Sequence, residues 1–317
     1  MFGELPKLLG KTFVIGYLLP AALTVLAVAA VLDVSGLTTI YADGYVQFGS
    51  ADEKQLAFRL GLMLAATWVV GVILLAINYN LIRLLEGYGA ANPARLWKSR
   101  SLRIFGGLTE RHEEIESQRV DGKIPAALQS EHGRLRLRLG NEFPEREALV
   151  LPTRFGNVMR AFERYPQLIY GIEAISMWPR LQAVIPDGYT SMLDDAKAQV
   201  DLWVNSWFGS LLTAATALVV LFYMRECLAL LPFAAAVIAA LLCAKVAQRA
   251  AAQWGSLVKG AFDLYRGELC KQLGLEMPRS IEVERAMWTR VSQAALYRRG
   301  EYADNFTQYR PLKGRGE

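Results

Sequence analysis

Four apolar stretches without a charged side chain, at 13–32, 60–77, 211–223 and 228–244, limit what this chain can fold into. The first is apolar on every helical face, from Phe13 through Pro20 to Leu32. A helix on the surface of a soluble protein keeps one polar face. An all-round apolar helix of this length instead matches the hydrocarbon core of a bilayer, about 30 Å at roughly 1.5 Å per residue. The expected fold class is therefore mainly α, an integral membrane protein with four transmembrane helices.

The basic residues set the expected threading. Of 35 Lys and Arg, only Lys54, Arg59 and Arg225 fall in the two segments assigned to the outside. Positive charge retained on the cytoplasmic side places the N-terminus, the central segment and the C-terminus inside. The net charge of +5 thus reads as topology and head-group contact, and no nucleic-acid partner is expected. A cleaved signal peptide, with Lys7 and Lys11 before it and Ala27-Val28-Ala29 as the processing site, is disfavoured because its apolar region is too long. The three cysteines, Cys227, Cys243 and Cys270, have no paired spacing and predict no disulfide framework.

Five segments follow. Residues 1–83 form a membrane hairpin with spans at about 13–32 and 60–77 and an outside loop at 33–58. That loop carries Asp33, Asp43, Asp52 and Glu53, the interfacial aromatics Tyr41, Tyr45 and Phe48, and a short strand signal at 45–48. Residues 84–199 form a cytoplasmic domain whose sixteen basic and fifteen acidic residues nearly balance. Residues 200–248 make a second membrane hairpin, with spans at about 207–223 and 228–244 around a very short turn. Cytoplasmic helices occupy 249–299, and a flexible tail 300–317. Apolar positions continue at helical spacing on the inner side of the last two spans (Met192 to Trp207, Trp254 to Leu269), so spans three and four extend into the cytoplasmic domain.

Within that domain, helices are expected near 94–105, 109–118, 153–164 and 170–184, the last two divided at Tyr165-Pro166. The alternation Arg134-Leu135-Arg136-Leu137-Arg138-Leu139 predicts a strand with three arginines on one face, returning at 148–151 as a small β-hairpin over about 134–151. Its arginine face would either contact anionic head groups or pair with Glu145 and Glu147.

Chemical motifs are sparse. There is no GxSxG, HExxH, phosphate-binding glycine loop or calcium loop, so no enzyme activity and no cofactor are expected. His112 and His132 read as two solvated surface histidines; as a metal pair they would need a carboxylate such as Glu113, Glu114 or Glu131. The cluster Glu110, Glu113, Glu114 and Glu116 reads as a solvated helix face, and Asn305-Phe306-Thr307 as a chance glycosylation match. The spans lack the ionisable residues that mark pumps, which leaves a passive pathway as the transport reading. Candidate pore or pore-mouth residues are Thr12, Gly16 and Thr24, spaced on one face with Pro20, then Asn78 and Asn80, then Asp201 and Asn205. The first group equally suits a packing seam of small residues, and Asn78 and Asn80 suit ordinary interfacial polarity. Asp201 and Asn205, one turn apart, would in a symmetric oligomer ring a cytoplasmic mouth and favour cations. Small residues at Gly61, Ala65, Ala236, Ala240 and Ala244 argue for tight bundling.

The stretch Thr153-Arg154-Phe155-Gly156-Asn157-Val158-Met159-Arg160, followed by Tyr165-Pro166, Tyr170-Gly171 and Trp178-Pro179-Arg180-Leu181, resembles a signature in a group of uncharacterised bacterial four-span inner-membrane proteins. The resemblance implies a bacterial inner (plasma) membrane location and carries no activity. By topology alone the layout also resembles the bestrophin type of four-span channel. Trp178 and Arg180, with Arg134, Arg136 and Arg138, are the candidate head-group contacts. The functional expectation is a homo-oligomeric inner-membrane channel or pore-type protein. The alternative is a membrane-anchored scaffold, sensor or stress and phage-defence effector whose cytoplasmic domain binds a protein partner.

Overall fold

The computed structural model describes residues 10–34, 53–89, 92–223, 225, 227–297 and 308–310. The expected strand at 45–48, the aromatics Tyr41, Tyr45 and Phe48, the first nine residues, Asn305 and nearly all of the tail lie outside them. Among the described residues the protein is mainly α-helical, with no strand beyond one isolated bridge between Val120 and Lys123.

Helix α1 covers 11–34 in three consecutive pieces, Lys11–Phe13, a π-helical Val14–Leu18 and Leu19–Val34. Helix α2 is Glu53–Glu86. After a 3₁₀ turn at Pro93–Trp97 come α3 (Lys98–Ser117), α4 (Ala126–Glu142), α5 (Arg154–Tyr170) and α6 (Ala174–Gln182). Then follow the long helices α7 (Asp187–Tyr223) and α8 (Leu230–Gln272), joined through a 3₁₀ turn at Cys227–Ala229, and finally α9 (Ile281–Tyr297). Among the described residues, four helical segments are long and apolar enough to cross a membrane: Lys11–Asp33, Ala57–Glu86, Asp187–Tyr223 and Cys227–Gln272. Such spans imply contact with a lipid bilayer.

Two compact units divide the chain, one from Met1–Asn92 with Asp194–Ala250, the other from Pro93–Leu193 with Ala251–Glu317. In the first, Val31, Ala217, Val220 and Ala229 are buried against Leu221 and Phe233. Outward-facing residues such as Leu62, Leu64, Val69, Leu241 and Leu242 are large and apolar, the composition a span shows to lipid. In the second unit Ile115, Val158, Met177, Phe262, Leu269 and Trp288 are nearly or fully buried. Each such side chain contributes about 1.5–3 kcal/mol by leaving water.

Three local expectations are corrected. The 134–151 hairpin is absent, because the arginine–leucine run lies inside α4. Leu, Arg, Gln and Glu are good helix formers, and six alternating residues are too few to outweigh the helical context that begins at Ala126. At about 100° per residue Arg134 and Arg138 share a side while Arg136 points away, so the three do not form one face. Leu135 and Leu139 are partly buried and Leu137 is exposed. The helices expected near 94–105 and 109–118 are one helix, since Gly106 and Gly107 are tolerated in mid-helix. The break expected at Tyr165-Pro166 does not occur, and α5 passes through Pro166. It stops at Gly171, whose φ of 76° is a left-handed cap, with the Gly171 and Ile172 N–H groups donating to the Gln167 and Pro166 carbonyls.

Candidate functional site

Proline creates the need around which the most concentrated buried polar site is built. Pro20 has no N–H to donate to the carbonyl four residues back, which belongs to Gly16. The π-helical turn at Val14–Leu18 just before it distorts the same stretch. The Asn205 side chain on α7 supplies the missing donor, its Nδ2 lying 2.8 Å from the Gly16 oxygen. Gly16 permits that approach, for a Cβ there would lie 3.2 Å from Cβ of Asp201. Farther along the same crossing, Thr24 turns its hydroxyl onto the Pro20 carbonyl at 2.7 Å and presses on Gly209.

One turn before Asn205, the Asp201 carboxylate is buried and collects three donors. The Tyr17 hydroxyl donates at 3.0 Å, Asn78 Nδ2 on α2 donates at 2.9 Å, and Lys197 pairs with it from one turn earlier on α7. Asn78 Nδ2 also reaches the Tyr17 hydroxyl at 3.2 Å. The site therefore ties α1, α2 and α7 within one chain. Asn78 Oδ1 and Asn205 Oδ1 are both buried without a donor, and Asn205 is wholly inaccessible. Buried oxygens of this kind ordinarily hold a partner, such as a trapped water or a cation.

Of the seven candidate pathway residues, the structure brings Gly16, Asn78, Asp201 and Asn205 together. Thr24 sits two turns along α1 on the α7 crossing, Thr12 is half-buried near the start of α1, and Asn80 is exposed. Tyr17 and Lys197 complete the site although sequence reading did not single them out. The i,i+4 spacing of Lys197 and Asp201 was the available signal; Tyr17 carried none.

In the second unit the signature stretch is occupied with packing and capping. Thr153 Oγ1 caps α5 by accepting from the Gly156 N–H at 2.9 Å, and the Asn157 side chain accepts from and donates to the Leu151 backbone at 2.6 and 2.9 Å. Tyr165 and Tyr170 both donate to the Asp263 carboxylate, at 3.0 and 2.8 Å. Burial first, and the carboxylate next, push the Tyr165 phenol above its usual pKa. Trp178 packs on Phe262 with ring centroids 5.9 Å apart. Arg180 is exposed and donates to the Ser176 carbonyl. Arg134, Arg136 and Arg138 are exposed, Arg134 bonded to the Ser130 carbonyl and Arg138 to Glu142.

The expectation of two solvated histidines is also corrected. His132 is only 8% exposed, because α3 and α4 stack its ring on that of His112, with centroids 5.1 Å apart. All three cysteines are free. No family model matches the chain, and no curated protein or solved structure matches it.

Proposed function

We propose that the protein is a homo-oligomeric channel of the bacterial inner membrane, multi-pass with both termini cytoplasmic, and that it passes cations. The observation that carries this reading is the buried cluster of Tyr17, Asn78, Asp201 and Asn205. Two of its oxygens, on Asn78 and Asn205, are buried with no hydrogen-bond donor among the described residues. Carboxylate and amide oxygens held at fixed spacing replace the water shell of a cation better than that of an anion. Lys197 pairs with Asp201, and in this reading a cation competes with that ammonium for the carboxylate. The distribution of basic residues supports the orientation. Outward-facing small residues on α2 support self-association: a Cβ on Gly61 would meet nothing within 4 Å, and Ala65 is exposed.

The test is cation flux into liposomes holding the purified protein, beside native mass spectrometry for stoichiometry. A ring of subunits with flux altered by Asp201→Asn is the expected result. A monomer, or no conductance at any tested voltage or pH, would remove the reading. The scaffold alternative draws on Leu96 and Trp97, which are 82% and 57% exposed in the second unit. It predicts a soluble protein that co-purifies in fixed ratio and is lost with Trp97→Ala.

A further inference from the structure

Helices α3 and α4 converge where three metal-binding side chains meet. His112 and Glu116 stand one turn apart on α3, so they share a face, and His132 reaches them from α4. His132 Nε2 lies 2.6 Å from Glu116 Oε1, and His112 Nε2 lies 4.0 Å from the same oxygen. One ligand atom from each residue falls within 4.8 Å of the other two. Tetrahedral zinc with bonds of about 2.0–2.2 Å sets its donors roughly 3.3 Å apart. The two measured separations lie on either side of that value, and the third, between the histidines, is no more than 4.8 Å, so side-chain adjustment without helix movement admits the ion.

The surroundings hold this geometry. Arg111, next to His112, grips Glu131, next to His132, through two hydrogen bonds of 2.8 and 3.0 Å. That bidentate contact fixes the two helices in register one residue from the ligands. Arg119 Nη2 donates to Glu116 Oε1 at 3.2 Å and pairs with Oε2 at 2.8 Å, which holds the carboxylate in place beside the imidazoles. The loop between the helices, 118–125, contains Asp121 and Gly122 at φ of 49° and 74°, a tight reversal that a staple across the helix ends would secure.

We propose that His112, Glu116 and His132 bind a divalent transition-metal ion, zinc foremost, as a staple between α3 and α4. Two imidazoles and one carboxylate select zinc and its neighbours over magnesium or calcium, which prefer all-oxygen shells. Neutral imidazole Nε2 atoms bind the ion in place of the present His132–Glu116 hydrogen bond, and water takes the fourth position. This site is independent of the channel reading.

The test uses the full-length, untagged protein in mild detergent. Zn²⁺ is titrated against a chromophoric chelator, and Co²⁺ is added as a spectroscopic probe of four-coordinate geometry. One ion per chain is expected, with a visible cobalt ligand-field band and a rise in thermal midpoint on adding zinc. In His112→Gln and Glu116→Gln, judged folded by unchanged helicity, zinc affinity should fall by more than the roughly 10- to 100-fold typical of losing an outer-shell partner. Arg119→Gln should keep the one-to-one stoichiometry. No stoichiometric binding by the wild type would overturn the proposal. So would wild-type affinity in both ligand variants, because the ion would then be held elsewhere.

Discussion

Asn205 illustrates how a single side chain is fixed by a backbone defect in another helix. Its amide answers the carbonyl that Pro20 leaves bare, and nothing else among the described residues donates a side-chain hydrogen bond to it. Replacing Asn205 with Ala should cost about 1–3 kcal/mol, the penalty of a buried unsatisfied acceptor, read as a lower thermal midpoint in detergent. Asn205→Asp should be no better, because a carboxylate cannot donate to the carbonyl. A second residue-scale prediction concerns acid. Burial alone would raise the Glu145 pKa, but the Arg164 guanidinium, bonded at 2.7 and 3.0 Å, outweighs it and holds the carboxyl below its ordinary range. A lowered carboxylate pKa stabilises the fold fully above about pH 4.3 and less as pH falls through the lowered value. Glu145→Gln should therefore reduce thermal stability at neutral pH, with the difference from wild type shrinking as the solution is acidified below pH 4.

At the scale of elements, glycines mark where helices touch. A Cβ at Gly255 on α8 would collide with Phe162 Cδ1 and lie 3.0 Å from its Cβ, so the α5–α8 contact has no room for a methyl group. Gly255→Ala should destabilise the second unit by about 1–3 kcal/mol, with Gly267→Ala, whose Cβ would meet nothing within 4 Å, as the neutral control. The two can be compared by urea-dependent proteolysis. Long helices were legible from the sequence because their apolar pattern persists over many turns, as for α7 from Met192 to Tyr223. The short helix α4 was not, since arginine and leucine alternating over six residues satisfy a strand period as well as helical propensity. The polar cluster was half legible: Gly16, Pro20 and Asn205 were visible, but the bond from Asn205 to Gly16 joins residues 189 apart and depends on a crossing no local pattern encodes. The histidine pair escaped for the same reason, because 16 residues and a reversal separate Glu116 from His132.

For the whole molecule, the charge distribution makes a topological prediction. Cys227 is exposed in the turn between α7 and α8, whereas Cys243 and Cys270 are buried. With both termini inside, a membrane-impermeant maleimide applied to intact spheroplasts should label Cys227 alone, and Cys227→Ser should abolish labelling. Labelling only after permeabilisation would reverse the orientation assigned to the chain.

The pairing of Gly16 with Asn205 also bears on how the protein is made. A ribosome adding about 5–20 residues per second reaches Asn205 roughly 10–40 s after Gly16 has been synthesised. Throughout that interval the first span holds an open carbonyl that hydrocarbon cannot satisfy. The contact that closes this defect in span one is therefore made only after α7 has been synthesised, so the native packing of the first span is completed late in chain synthesis.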